Sequence, residues 1–278
     1  MARLLGSRVR ITVGHTPDAD DAFMFYGMLS GAVRAGFEVE HVVQDIEALN
    51  KRAASPDLDV TAVSVHACSR IPNYVILRSG GSFGLGYGPV VLTRGGGIEG
   101  ARIAVPGTMT SAFLLLRLMA GPFRYVEAEF SRIPAMVESG EVDAGLVIHE
   151  AQIRHGSLEV AADLGRWWHE ETGGLPVPLG VNVARASLGD AVGRFDRHLR
   201  ESITYGREHE EDALDYAMRY ARGSPREEIR RFVRMYVNER TVEMGEAGEE
   251  SIRRLFEMAE GAGLPVPHRP VIAPGGDA

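Results

Sequence analysis

A chain of 278 residues, 45% of them hydrophobic, is long enough for one large domain or two lobes of ordinary size with real apolar cores. Its net charge of -8 and the lack of any Lys/Arg block exclude a nucleic-acid footprint, and no apolar run reaches membrane length. Lys51 is the one lysine and sits in an amphipathic helix pattern, which argues against Schiff-base or pyridoxal phosphate chemistry. Cys68, the single cysteine, can form no internal disulfide, and there is no cysteine cluster for zinc or iron-sulfur. Met1 to Arg10 lacks the apolar stretch of a secretory signal, so a cytoplasmic protein is expected.

Arg10 to Gly14 reads as a short β-branched strand. The turn-forming loop His15-Thr16-Pro17-Asp18-Ala19-Asp20-Asp21 follows, then a helix over Ala22 to Leu29 with Asp20 or Asp21 as N-cap. Three aspartates in one loop suggest a cation, but hard-cation sites take more oxygen ligands at a recognisable spacing, and no metal is expected. Gly36 to Val43 is a second strand, Ile46 to Ala53 a helix, and Leu58 to Val65 a third strand that ends in polar groups beyond Ala62, Val63 and Ser64.

Tyr74 to Ser79 is apolar, and residues 80–89 are glycine-rich. This is no dinucleotide fingerprint, because Pro89 holds the place of the third glycine and no helix follows. The segment instead permits close backbone approach, with Gly88 a candidate ligand contact. Ala101 to Val105 is a strand, followed by Pro106-Gly107-Thr108-Met109-Thr110-Ser111 and an apolar helix over Ala112 to Met119. A strand, a glycine turn and a hydroxyl pair at a helix start make an anion site for a carboxylate or phosphate; plain capping by Thr110 or Ser111 is the competing reading.

Arg124 to Phe130 reads as a strand and Ile133 to Glu138 as a helix. After a turn on Gly140, Val142 to Ile148 is a buried strand that delivers His149 and Glu150 at its carboxyl end, where open α/β sheets place ligands and chemistry. His149 is the candidate catalytic base; a strand-end histidine bonded to a carbonyl is the competing reading. The succession of helix, turn, Asp and apolar strand occurs around both Asp59 and Asp143, so two similar α/β lobes are expected to face a shared cleft. Leu158 to Leu164 is strand-like, Trp167-Trp168 and the following glycines read as a loop, and residues 177–183 as a return strand. The remainder is helical over 195–205, 210–221, 226–236 and 246–261, with solvated charges. The lobes are expected at 1–93 plus 185–278 and at 94–184.

Common catalytic signatures are missing. Ile153 stands where H-E-x-x-H needs its second histidine, and there is no G-x-S-x-G elbow and no Walker loop.

Several ordered motifs nevertheless occur together. They are Thr16-Pro17-x-x-Asp20-Asp21-Ala22-Phe23, Arg78-Ser79-Gly80-Gly81, Gly88-Pro89, Ala104-Val105-Pro106-Gly107 with Thr110-Ser111-Ala112, Gly140 through Glu150, and Tyr236-Val237-Asn238. From about Ile11 to about Pro270 the chain resembles the 1,4-dihydroxy-6-naphthoate synthases of the futalosine route to menaquinone. The resemblance implies a two-lobed type 2 periplasmic-binding-protein-like α/β fold, each lobe a mixed sheet flanked by helices. It also implies a cofactor-independent lyase acting on a small-molecule carboxylate, cyclic dehypoxanthinylfutalosine, to give 1,4-dihydroxy-6-naphthoate and dihydroxyacetone. His149 maps onto the family's proposed proton acceptor, and Ala62, Val63, Ser64, Thr110 and Ser111 onto its substrate contacts. The family type is compatible with a homodimer. Where the family reads Ser-Pro-Cys-Pro-Asn-Asp-Thr-Phe, this chain has Asp20 for Asn and Ala22 for Thr, which adds a charge and removes a hydroxyl at the expected cleft edge. A chorismate dehydratase-like enzyme of the same pathway and a non-catalytic small-carboxylate-binding protein are the alternatives.

Overall fold

The computed structural model describes residues 9–34, 36–148, 152, 155–221 and 223–275. The first part of the chain alternates strands and helices: β1 (Val9–His15), α1 (Ala19–Leu29), β2 (Phe37–Val43), α2 (Ile46–Ala53), β3 (Val60–Ser64), α3 (Val65–Cys68), β4 (Tyr74–Ile76) and β5 (Ser82–Gly84). Then come β6 (Val90–Thr93), β7 (Arg102–Val105), α4 (Ser111–Ala120), β8 (Arg124–Glu127), α5 (Ile133–Ser139), β9 (Ala144–Val147), β10 (Glu159–Asp163) and α6 (Leu164–Thr172). The chain ends with β11 (Val177–Arg185), α7 (Ala191–Glu208), α8 (Glu210–Ala217), α9 (Arg226–Tyr236), α10 (Glu239–Val242), α11 (Gly245–Gly261) and β12 (Val271–Ile272).

Two sheets result. The first has the order β12-β4-β11-β3-β1-β2, with β5 paired to β11; the second has the order β10-β6-β9-β7-β8. In the first, β1 runs parallel to β2 and β3, while β11 runs antiparallel to β3, β4 and β5. In the second, β7 is parallel to β8 and β9, and β6 is antiparallel to β9 and β10. The strands buried on both faces are the continuous apolar runs, as a sheet covered by helices on either side requires: all four residues of β9 and all five of β3 are buried.

The antiparallel strands β6 and β11 are the ones reached by crossing between lobes. The chain leaves the first sheet after Gly84 and enters the second at Val90, then returns between Asp163 and Val177. Sheet membership therefore puts all of β6 in the second lobe and all of β11 in the first, so the crossings precede Val90 and Val177, whereas the boundaries expected from the sequence are 93/94 and 184/185. The two crossings touch. A Cβ on Gly165 would stand 2.2 Å from the Tyr87 carbonyl carbon and 2.3 Å from the Gly88 nitrogen, so backbone packs on backbone there.

The C-terminal helices pack on the first lobe, where Phe195, Leu199, Ile203, Leu214 and Ile229 join Phe23 and Phe25 of α1 in one core. A smaller core lies inside the second lobe around Ile133, Val137 and Leu92. A third runs from Val63 and Val181 of the first sheet to Val105 and Leu146 of the second and Leu115 of α4, which joins the lobes. Among the described residues no helix is long and apolar enough to cross a membrane.

Two local readings of the sequence are corrected. The Trp167-Trp168 segment is helix α6, not a loop: Asp163 caps it by accepting from the Arg166 N–H at 3.0 Å, and Gly173 ends it in the left-handed conformation at φ 68°. Trp168 is fully buried and donates from Nε1 to the Pro176 carbonyl at 3.1 Å. Neither Asp20 nor Asp21 is the N-cap of α1; the helix begins at Ala19, with Asp18 in the cap position.

Candidate active site

Four strands, parallel within their sheets, deliver their carboxyl ends to the same place. β1 leads into Thr16, β3 ends at Ser64, β7 leads through Pro106 into the start of α4, and β9 runs into Ile148. Thr16, Ser64, Thr110, Ser111 and Ile148 all line one interlobe cavity of about 740 Å³, counting the space at its mouth. Its walls are mainly apolar, with Met24, Ile46, Val181 and Phe232 among them. This is where a doubly wound α/β sheet presents a ligand site, and the parallel strands explain why segments far apart in sequence meet there.

The first loop is held from within. The Thr16 N–H and hydroxyl both donate to Asp21 Oδ2, at 2.7 and 2.8 Å, and the Thr16 carbonyl lies 3.0 Å from His15 Nδ1. Burial pushes the Asp21 carboxyl above its usual range, opposed by His15 and by the two Thr16 donors. Asp20 lines the cavity beside it. Ala22 does not: it is fully buried in the first-lobe core, so of these two departures from the family pattern it is Asp20 that faces the cavity, and the expected loss of a cleft-edge hydroxyl is not realised.

The end of β3 is fixed by α2. The Ser64 N–H donates to Asn50 Oδ1 at 2.8 Å, while Asn50 Nδ2 donates to Ser64 Oγ and to Glu47 Oε2, each at 3.2 Å. Glu47 is itself buried and accepts from the Met109 N–H of the opposite lobe at 3.4 Å; burial raises its pKa. One helical face thus aligns the strand end from the first lobe with the turn before α4.

At that turn the hydrogen bonds bear out the capping reading. The Thr110 hydroxyl is a cap, accepting from the Phe113 N–H at 3.2 Å and donating to the Gly107 carbonyl at 2.8 Å. The Ser111 hydroxyl accepts from the His66 N–H at 3.2 Å and donates to the Leu179 carbonyl at 2.6 Å, bridging α4 to the first lobe. Both hydroxyls are therefore spent on structure. What α4 presents to the cavity is its first turn, Ser111 and Ala112, at the positive end of a ten-residue helix.

Of the residues expected from sequence, Asp20, Ala62, Val63, Ser64, Thr110 and Ser111 converge on this cavity. Gly88 is not among its lining residues; a Cβ there would stand 3.0 Å from the Gly165 Cα, next to lining residue Pro89. His149 and Glu150 lie outside the described residues, while the flanking Ile148 and Gln152 line the cavity. Among the described residues no group of three His, Cys, Asp or Glu side chains is placed to hold a metal ion.

Sequence reading misses Asn50, Gln152 and Asn182. Tyr236 donates from its hydroxyl to Gln152 Oε1 at 2.7 Å, closing the cavity from the α9 side. Only the motif Tyr236-Val237-Asn238 hints at that role.

The chain matches the menaquinone biosynthesis family over residues 11–261. It is 42% identical to the 1,4-dihydroxy-6-naphthoate synthase of Thermus thermophilus over 264 residues, covering 92% of this chain and 96% of that protein. A crystal structure of an Archaeoglobus fulgidus protein, 47% identical, superposes with a TM-score of 0.89 over 91% of this chain and 98% of that one. The periplasmic aliphatic sulphonate binding protein SsuA of Escherichia coli, 14% identical, shares the fold with a TM-score of 0.64, covering 96% of each chain. With two mixed sheets, strand ends meeting in an interlobe cavity and this degree of identity across nearly its whole length, the chain has a periplasmic-binding-protein-like fold and belongs to the menaquinone biosynthesis family.

Proposed function

We propose that this protein is a cytoplasmic lyase that converts cyclic dehypoxanthinylfutalosine to 1,4-dihydroxy-6-naphthoate and dihydroxyacetone, with His149 as general base. The observation that carries the reading is the cavity itself: an apolar slot with a helix N-terminus at one wall, entered by the strand that leads through Ile148 to His149. The substrate's aromatic carboxylate docks on the N–H groups of the first turn of α4, where the helix dipole favours negative charge. The ring system lies against Ile46, Val181 and Phe232. In its neutral form the His149 imidazole accepts a proton from the sugar-derived ring, which starts carbon–carbon cleavage. The apolar walls keep water from the reacting centre.

Purified protein incubated with cyclic dehypoxanthinylfutalosine should release the naphthoate. His149→Ala should lose about two orders of magnitude or more in rate, the scale of general-base catalysis. A wild type that binds the substrate without converting it would mark a carboxylate-binding protein. Turnover of chorismate instead would mark a dehydratase, and an undiminished His149→Ala rate would remove that residue from the chemistry.

A further inference from the structure

Asn182 lies on β11 beside Ala62 of β3 and is 1% exposed, yet it lines the cavity. Its Nδ2 donates to the Gly80 carbonyl at 2.9 Å. Because that carbonyl can only accept, the amide is held in one orientation, with Oδ1 turned the other way. Oδ1 is buried and has no hydrogen-bond partner among the described residues. A buried carbonyl-type oxygen on a residue that lines a mainly apolar cavity is an unfavourable arrangement unless a ligand donor meets it.

The position along the strand says which part of the ligand that is. Leu179, three residues earlier on β11, accepts from Ser111 at the start of α4, so Asn182 stands about 10 Å along the strand from the anion-binding turn. That is the separation expected between the two ends of a bicyclic aromatic acid held by a hydrogen bond at each end. We infer that Asn182 is a specificity-determining residue whose Oδ1 accepts a hydrogen bond from a ring hydroxyl of the product, at the end opposite the carboxylate. The inference rests on the function proposed above and extends it: the site selects hydroxylated bicyclic acids over bare ones.

Calorimetric titration under anaerobic conditions tests this with two probes, 1,4-dihydroxy-6-naphthoate and 2-naphthoate, which carries the carboxylate alone. The wild type should bind the dihydroxy acid about tenfold or more tightly than the bare acid. Asn182→Ala should bind 2-naphthoate as the wild type does, which also reports an intact fold, and should lose most of the preference. A structure of the wild type with the dihydroxy acid should place a ring hydroxyl within hydrogen-bond distance of Oδ1, which tests the inference even if the variant does not fold. Preference kept in Asn182→Ala, or a hydroxyl bonded elsewhere in that structure, overturns the assignment. A wild type that binds neither acid overturns the underlying function and the assignment with it, whereas binding without preference sinks only the role of Asn182.

Discussion

Gly107 of the second lobe packs on Glu47 of the first so closely that a Cβ on the glycine would stand 2.3 Å from the glutamate Cδ. The glycine is also at φ +145°, a conformation L side chains rarely adopt. This contact sets how the turn before α4 meets α2. Gly107→Ala is therefore expected to destabilise the protein by about 1–3 kcal/mol and to weaken naphthoate binding, because both the backbone and the Glu47 side chain must shift. Urea unfolding and product titration check this; a variant with wild-type stability would show that the turn yields freely.

The ionisation of Glu47 should be visible in stability. Burial is the main cause of its pKa lying above the ordinary 4.5, opposed by bonds from Asn50 and Met109 and by Lys51. A carboxyl with a raised folded-state pKa contributes stability below its unfolded value and loses that contribution as pH rises through the folded value. Glu47→Gln, which keeps the shape without the charge, should gain on the wild type as the pH climbs from about 4.5 toward neutrality. Paired urea midpoints across that range decide it, and a difference that does not change with pH would refute the assignment.

Two imidazoles set the opposite slope. His41 packs edge-on against His15 and Phe25, and His66 lies beside Arg70; burial is the main cause lowering each pKa from 6.5 to about 4. Depressed histidines stabilise the fold above the unfolded value and lose that contribution as the pH falls through the folded one. Stability should thus drop between pH 6.5 and 4, and His66→Gln should reduce the slope by about one proton. The measurement is unfolding free energy against pH, with a wild-type slope retained in the variant as the contrary result.

Removing the Ser111 hydroxyl should be felt by both lobes. Ser111→Ala leaves the His66 N–H and the Leu179 carbonyl without the partner each has now, and losing such buried bonds costs about 1–3 kcal/mol. Ser111→Thr, which keeps the hydroxyl, should recover much of this. Thermal unfolding of the two variants side by side is the check, with equal losses in both pointing to side-chain volume instead.

Elements with a strong local signal are legible in the amino-acid sequence alone. The bounds of α2 and α9 agree with their apolar periodicity residue for residue, and the turn expected on Gly140 takes the form of a left-handed cap of α5, at φ 79°. Helix α6 is obscured because Thr172-Gly173-Gly174 at its end reads as a loop; the helix itself is amphipathic and buries Trp168 against the interlobe core.

The strand ends Ser64 and Ile148 and the start of α4 are visible because apolar runs, turn residues and caps act over a few neighbouring positions. Asn50 and Asn182 are not, since an asparagine on a helix or strand carries no mark of where its amide points. Pairing of β3 with β11 and packing of α2 against β3 turn those amides toward Ser64 and toward the cavity. The same is true of Gly107, whose need for glycine comes from Glu47, far away in the chain. Local hydrogen bonding and hydrophobic period are written in consecutive residues, whereas the direction of a side chain within a cavity is decided by which distant surfaces exclude water together.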